Sequence, residues 1–468
     1  MRAKRLSLGA ALLASACTTA GPDFHVPPRA TVNDPQASAP FVSADDPAFA
    51  QAPVPDDWWR LYDDPKLNAL VTEALSENAD LRVAQANLEQ AGALVSVAEA
   101  GRDVSTTISG GTSLGRPSST GISLPGTVNY DIGASASYPL DLSGRLARGI
   151  EAARADAEAA VAARDYARVA VAAGTTRAYL AVCSANERLS ALDAILKLQR
   201  ETLNVTQRLQ RGGRGTAFDV TRAQGQVDST LAQRPAILAS RQAALFSLAA
   251  LLGRPAREYP KAVEACTVAP QPDRPIPVGD GASLLRRRPD IRQAERQAAA
   301  ASARIGVEVA QLYPQISLGA SAGFTGPVSG IGSGDAFRLN LGPLISWSFP
   351  NRPVVRARID AAEANERAAL AQFDSTVIDA LRETETNLNR YARQRDRLAD
   401  LIRARDTSAR AAAQAGKLYR FGRADFLQLL DAQRSLAEAE ATLASARAEM
   451  IDDQVDVFLS LGGGWSEK

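Results

Sequence analysis

The chain has 468 residues, too many for one ordinary core, so two domains or one large repeat architecture are expected. Its 53 Lys+Arg balance 52 Asp+Glu, and a net charge of +1 gives nucleic acid no broad electrostatic footprint. His25 is the only histidine, and Met1 and Met450 are the only methionines, which leaves histidine-based acid–base catalysis or a zinc site almost no material.

Residues 1–16 read as a signal peptide. Arg2, Lys4 and Arg5 form a charged start, Leu6 to Leu13 a short apolar stretch, and Ala14-Ser15-Ala16 the small residues ahead of Cys17. The pattern makes Cys17 the first, lipidated residue of the mature chain; an ordinary secretory peptide cleaved near Ala16 is the alternative. Residues 17–63 form an N-terminal arm, rich in Pro, Ala, Ser and Asp as far as residue 56 and read there as an extended tether. Setting Cys17 aside leaves Cys183 and Cys266. An even pair in an oxidising compartment invites a disulfide, with two buried thiols as the other reading. No later segment has the 18 apolar residues of a membrane-spanning helix, so any membrane crossing must be made by β-strands.

From residue 64 the pattern turns helical, with Leu67, Leu70, Val71, Ala74 and Leu75 at three- and four-residue spacing over an expected helix 66–100. Between 104 and 140 apolar and small polar residues alternate, as in Tyr130, Ile132, Ala134, Ala136, Tyr138 and Leu140. That predicts a hairpin of strands 104–117 and 127–140. A helix over 144–211 follows, then a turn at Gly212-Gly213 and a helix over 217–252. At 1.5 Å per residue these helices span about 100 Å and about 50 Å. Val182, Leu189, Leu196 and Leu203 recur every seven residues, as do Leu231, Leu238, Leu245 and Leu252, the signature of close-packed coiled-coil helices.

A proline-rich linker, 255–279, separates this first repeat (64–254) from a second (280–462), which a short tail, 463–468, follows. Gly213 to Gln224 matches Gly422 to Gln433 at an offset of 422 − 213 = 209, and Ser137-Tyr138-Pro139-Leu140 falls on Ser346-Trp347-Ser348-Phe349 at the same offset. The second hairpin is expected over 315–349, from strands 315–326 and 336–349, and the closing helix carries the heptad line Leu429, Leu436, Leu443, Met450 and Val457. The run Arg286-Arg287-Arg288-Pro289-Asp290 reads as a helix start rather than a phosphate site. Trp58 and Trp59 read as packing anchors rather than ligand contacts, and Tyr138, Trp347 and Phe349 as an interfacial girdle or as buried packing near the barrel mouth.

Four strands cannot close a barrel, and lipid tolerates no open sheet edge. Several copies must therefore pool strands. Eight strands would be filled by their own side chains, so three copies and twelve strands are expected. The fold class is thus mainly α with membrane β: a trimeric 12-stranded barrel continued by a long helical coiled-coil barrel, with an internal two-fold repeat.

With these elements in place, the chain resembles the outer membrane factor (TolC-like) family, in its NodT/OprM-type lipoprotein branch. Cys17 with Gly21-Pro22-Asp23-Phe24, Trp58 to Leu67, Leu140 to Arg145, Leu284 to Ile291 and Leu461 to Trp465 carry the likeness, in the family's order. The resemblance implies a homotrimer in the cell outer membrane of a Gram-negative bacterium, in contact with outer membrane lipid and extending into the periplasm. It implies a passive exit duct without chemistry, cofactor or metal. The duct would dock to a periplasmic membrane-fusion adaptor protein and serve an inner-membrane RND transporter. The turns at Gly212, Gly213 and Gly422 become the tip that meets the adaptor. Asp219 and Asp431 match aspartates at the family's periplasmic entrance, and Tyr419, Arg423 and Arg447 are the candidate ties of that gate. Asp219 has a second reading, because Thr216 and Asp425 suit N-caps with Asp219 and Gln428 three residues on. A type I secretion duct is disfavoured by the lipobox and Gly21-Pro22-Asp23-Phe24. A lipid-anchored adaptor or scaffold is disfavoured because helices and hairpins here recur twice.

Overall fold

The structure, a computed structural model, describes residues 19–115, 118–119, 122–123, 126–272, 274–349 and 352–463. The signal peptide, Cys17 and Trp465 lie outside the described residues. In chain order the longer helices are α1 (Pro65–Glu77), α2 (Ala79–Ala100), α3 (Arg145–Arg211), α4 (Ala217–Leu231), α5 (Arg234–Leu251), α6 (Gly281–Arg287), α7 (Pro289–Ala310), α8 (Arg352–Arg420) and α9 (Phe426–Ser460). The strands are β1 (Phe49–Ala50), β2 (Ser105–Gly115), β3 (Ser118–Ser119), β4 (Ile122–Ser123), β5 (Thr127–Leu140), β6 (Ile276–Pro277), β7 (Gln315–Pro327) and β8 (Phe337–Ser346). Among the described residues no helix is long and apolar enough to cross a membrane.

The chain divides into two compact units. One takes residues up to 28, 86–161 and 292–374; the other takes 29–85, 162–291 and 375–468. The first holds a four-stranded antiparallel sheet in the order β2-β5-β7-β8. Both predicted hairpins are present, and β5 pairs with β7 to join them, from Asn129 opposite Pro327 to Leu140 opposite Ile316. Each strand meets its helix at the same end of the sheet: α2 runs into β2, β5 into α3, α7 into β7 and β8 into α8. Residues 19–24 are fastened close to that end. The Ala20 amide donates to Ser143 O at 3.0 Å, and Arg148, almost fully buried, pairs with Asp23 at 2.7 Å. Phe24 packs on the alanines Ala155, Ala299 and Ala300.

The second unit owns the main apolar core. Trp58 is fully buried and stacks on Phe458 with ring centroids 4.5 Å apart, and Trp59 is also buried, so both act as the anchors expected of them. Two of the three heptad lines hold throughout. Val182, Leu189, Leu196 and Leu203 are buried, and so are Leu429, Leu436, Leu443, Met450 and Val457.

The expected helices 66–100 and 217–252 are each broken. At Asn78 the backbone is extended (ψ 134°), the side-chain oxygen accepts from the amides of Asp80 and Leu81, and the side-chain nitrogen donates to Leu251 O. Between Leu231 and Arg234 the helix stops because Pro235 has no N–H for the carbonyl four residues back. The break shifts the heptad there, and Ile237 rather than Leu238 is buried.

The arm is more than a tether. Beyond residue 28 its β1 pairs in parallel with β6 of the linker, and Glu385 accepts from the amides of Val42 and Ser43. The linker itself is held to α3, with Cys183 and Cys266 joined in a disulfide and Asn186 donating to the carbonyls of Glu264 and Cys266. Pro289 starts a helix as expected, but the arginines before it do not: Arg286 and Arg287 close α6 and Arg288 is its C-cap. Arg288 is buried and committed to Asp290, Glu383 and the carbonyl of Ser460.

Candidate functional site: a two-faced sheet and two matched turns

Antiparallel register places directly opposed residues on one face. From β2 to β8 one face collects Ile108, Leu114, Val128, Ile132, Ala134, Ala136, Tyr138, Ile316, Leu318, Phe324, Leu339, Leu341 and Ile345, without a single charge. Much of it is bare: Ile108 is 86% exposed and Leu341 84%. An apolar patch of this extent is not left to water by a soluble protein. The other face carries Ser, Thr, Gly and Asn almost throughout, with Asp131 on β5 and Arg338 on β8. Aromatics stand at both ends, Phe324 with Phe337 at one and Tyr138, Trp347 and Phe349 at the other. The outer edges of β2 and β8 have no partner strand among the described residues.

In the second unit the two turns are the same device 209 residues apart. The Arg214 amide donates to Leu209 O and that of Gly213 to Gln210 O; the Arg423 amide donates to Leu418 O and that of Gly422 to Tyr419 O. Both are six-to-one and five-to-two Schellman closures, with glycine at the left-handed position, φ 74° at Gly213 and 69° at Gly422. Gly212 is matched by Phe421, which is 79% exposed. Thr216 and Asp425 then cap α4 and α9. Thr216 and Asp219 form a complete capping box, while Asp425 accepts from the Gln428 amide at 2.8 Å.

No hydrogen bond, ion pair or ring contact joins any two of the five gate candidates among the described residues. The Asp219 carboxylate accepts from the Thr216 amide and hydroxyl, so its capping role is realised. Asp431 is exposed and pairs with Arg434 at 3.1 Å. Tyr419 packs on Phe426, with ring centroids 5.9 Å apart. Arg447 pairs with Glu187, and the Arg423 side chain has no partner among the described residues. Sequence reasoning missed Arg434 and Glu187. The i,i+3 spacing from Asp431 signalled the first, whereas nothing local signalled the second, 260 residues from Arg447.

A family model described as outer membrane efflux protein matches residues 70–254 and 282–463. The chain belongs to that family. The gap between the two matched stretches, 255–281, falls on the proline-rich segment. Among relatives, nodulation protein T of Rhizobium leguminosarum bv. trifolii is 31% identical over 87% of this chain and 88% of its own length. The probable efflux pump outer membrane protein TtgC of Pseudomonas putida is 30% identical over 96% and 93%. A solved structure of the outer-membrane channel OprN superposes with a TM-score of 0.88 at 36% identity, covering 96% of this chain and 100% of that one.

Proposed function

We propose that this chain is the outer-membrane exit duct of a tripartite efflux pump, passing small toxic compounds from the periplasm outward without chemistry or cofactor. The observation that carries the reading is the sheet: one charge-free apolar face, one polar face of small residues, and two edges open to further pairing. Ten residues separate Phe337 from Trp347; at about 3.4 Å per residue and a tilt of about 40° this is about 26 Å of height, against about 25 Å for a lipid-facing band. Three copies closing β2 against β8 make a barrel of twelve strands with the polar face inward.

Cys17, which the sequence pattern marks for lipidation, would anchor the chain just ahead of residues 19–24, which are fastened at the helix end of the sheet. The turns at Gly212, Gly213 and Gly422 form the surface that docks a membrane-fusion adaptor, which links the duct to an RND transporter. Asp219 and Asp431 face the entrance in three copies and hold it cation-selective, with Tyr419, Arg423 and Arg447 as ties between copies.

Single-channel conductance of the purified trimer in planar bilayers tests this, wild type beside Asp219→Ala/Asp431→Ala. A small cation-selective conductance that rises in the double variant is expected. Equal conductance in both would retire the aspartate gate and keep the duct. A folded trimer that never conducts would favour a lipid-anchored scaffold.

A further inference from the structure

The polar face of the sheet is nearly free of charge. Its residues on β2 are Ser105, Thr107, Ser109, Gly111 and Ser113, and β7 contributes Ser317, Gly319, Ser321, Gly323 and Thr325. Against that neutral background stand one carboxylate, Asp131, and one guanidinium, Arg338. Both are exposed, and neither has a hydrogen bond or ion pair among the described residues. They occupy neighbouring rows. Asp131 lies between Gly111 and Thr325, and Arg338 ends the row Ser109–Gly133–Gly323. Rows two residues apart are about 6.8 Å apart along the strands.

The backbone beside Arg338 is stripped of side chains. A Cβ on Gly323 would lie 2.6 Å from Ile132 O, and one on Gly133 would lie 3.3 Å from Ala322 O. The glycine pair lets β5 and β7 approach closely and leaves nothing for the guanidinium to pack on. Sequence reading of the strands did not use these two charges, because alternation ranks residues by polarity and not by what surrounds them.

We infer that Asp131 and Arg338 are the charge-discriminating residues of the barrel, forming in three copies a carboxylate ring and a guanidinium ring that sort ionised solutes on their way out. The inference rests on the duct reading and concerns a different part of the chain from the tip aspartates. A solute moving from the helix end toward the hairpin end meets the Arg338 row first and the Asp131 row second. Serine, threonine and glycine offer only weak dipoles, so the field in that stretch is set by these two groups. It extends about 30 Å at 0.01 M salt and about 10 Å at 0.1 M. Ionised amphipaths of either sign feel one attractive and one repulsive ring. Neutral solutes feel neither.

The test is the reversal potential of purified full-length trimer in planar bilayers under a KCl gradient at low salt, in the Asp219→Ala/Asp431→Ala background. That background isolates the barrel from the tip. Asp131→Asn is expected to shift the K+/Cl− permeability ratio about threefold toward chloride, and Arg338→Gln about threefold toward potassium, each shrinking at high salt. The double variant should return to the starting ratio. Thr325→Arg, in the row of Asp131, should reproduce the Asp131→Asn shift and so decides the matter if the asparagine variant fails to assemble. Conducting channels whose selectivity is unmoved by all of these overturn the inference and leave the duct intact. Folded trimers that conduct in no variant, the starting protein included, overturn the duct reading and the inference with it.

Discussion

The two units of this chain hide apolar surface from water in opposite ways. The unit holding Trp58, Leu245 and Phe458 buries them within one chain, stapled by Cys183–Cys266 and closed by buried polar pairs such as Tyr62 with Gln454 at 2.9 Å. The sheet of the other unit leaves Ile108, Leu341 and Ile345 bare. The same hydrophobic effect therefore stabilises one region through its own core, and in the proposed duct it would stabilise the other once lipid and further strands surround it. One region is built to be judged by packing. The other is built to be judged by what it meets.

Four experiments break or sharpen that contrast, the largest expected effect first. Removing the disulfide with Cys183→Ala/Cys266→Ala opens a loop closed across 83 residues, which chain entropy values at about 4.5 kcal/mol. Denaturant titration should show the loss in the core-bearing unit, while the sheet keeps its protease resistance in lipid. A charge at the middle of the apolar face, Leu341→Arg, should cost about 2–4 kcal/mol of folding free energy in bilayers. Asn340→Arg, one residue along on the polar face, should cost almost nothing, and equal costs would invalidate the assignment of the faces. Gly422→Ala forces an ordinary side chain into the left-handed region at φ 69° and should cost about 1 kcal/mol, with nothing within 4 Å for the new methyl to touch. The same change at Gly212, which is not left-handed, should be close to neutral.

The smallest effect concerns pH. Burial, opposed by Arg390 and reinforced by Asp456, Asp452 and Glu449, pushes the Asp453 carboxyl above its usual value. The fold thus disfavours its ionised form. Stability rises as pH falls from 7 through the raised value, and the gain is complete below the ordinary carboxylate range. On acidification the thermal midpoint of Asp453→Asn should fall behind that of the starting protein by about 2 °C.

Much of this was legible in the residues. Period-two alternation located both hairpins, glycine spacing located both Schellman turns, and Pro289 located the start of α7. What escaped lay in two kinds of physics. Asn78 breaks a helix because its amide finds Leu251 O, a partner 173 residues away that no local pattern announces. Pro235 was a local signal, and the heptad leucines on either side of it masked the break. The pairing of β5 with β7, the ties of Glu385 to the arm and the pairing of Arg447 with Glu187 are likewise choices among distant partners, made by three-dimensional packing. For the candidate site, the aspartates and turns were found by position. The company each keeps within one chain was not.

The two-residue pairing of β1 with β6 sets an order of events. Phe49 meets Ile276 across 276 − 49 = 227 residues, so the contact encloses the whole first repeat. A chain entering the periplasm from its N-terminus holds β1 long before β6 exists, and closing so large a loop is favoured only after the intervening helices have condensed. The arm must therefore wait loose until the first repeat is built, and its docking works as a latch that closes last. Glu385 and Phe458 of the second repeat also hold the arm, so its docking is complete only when both repeats are built.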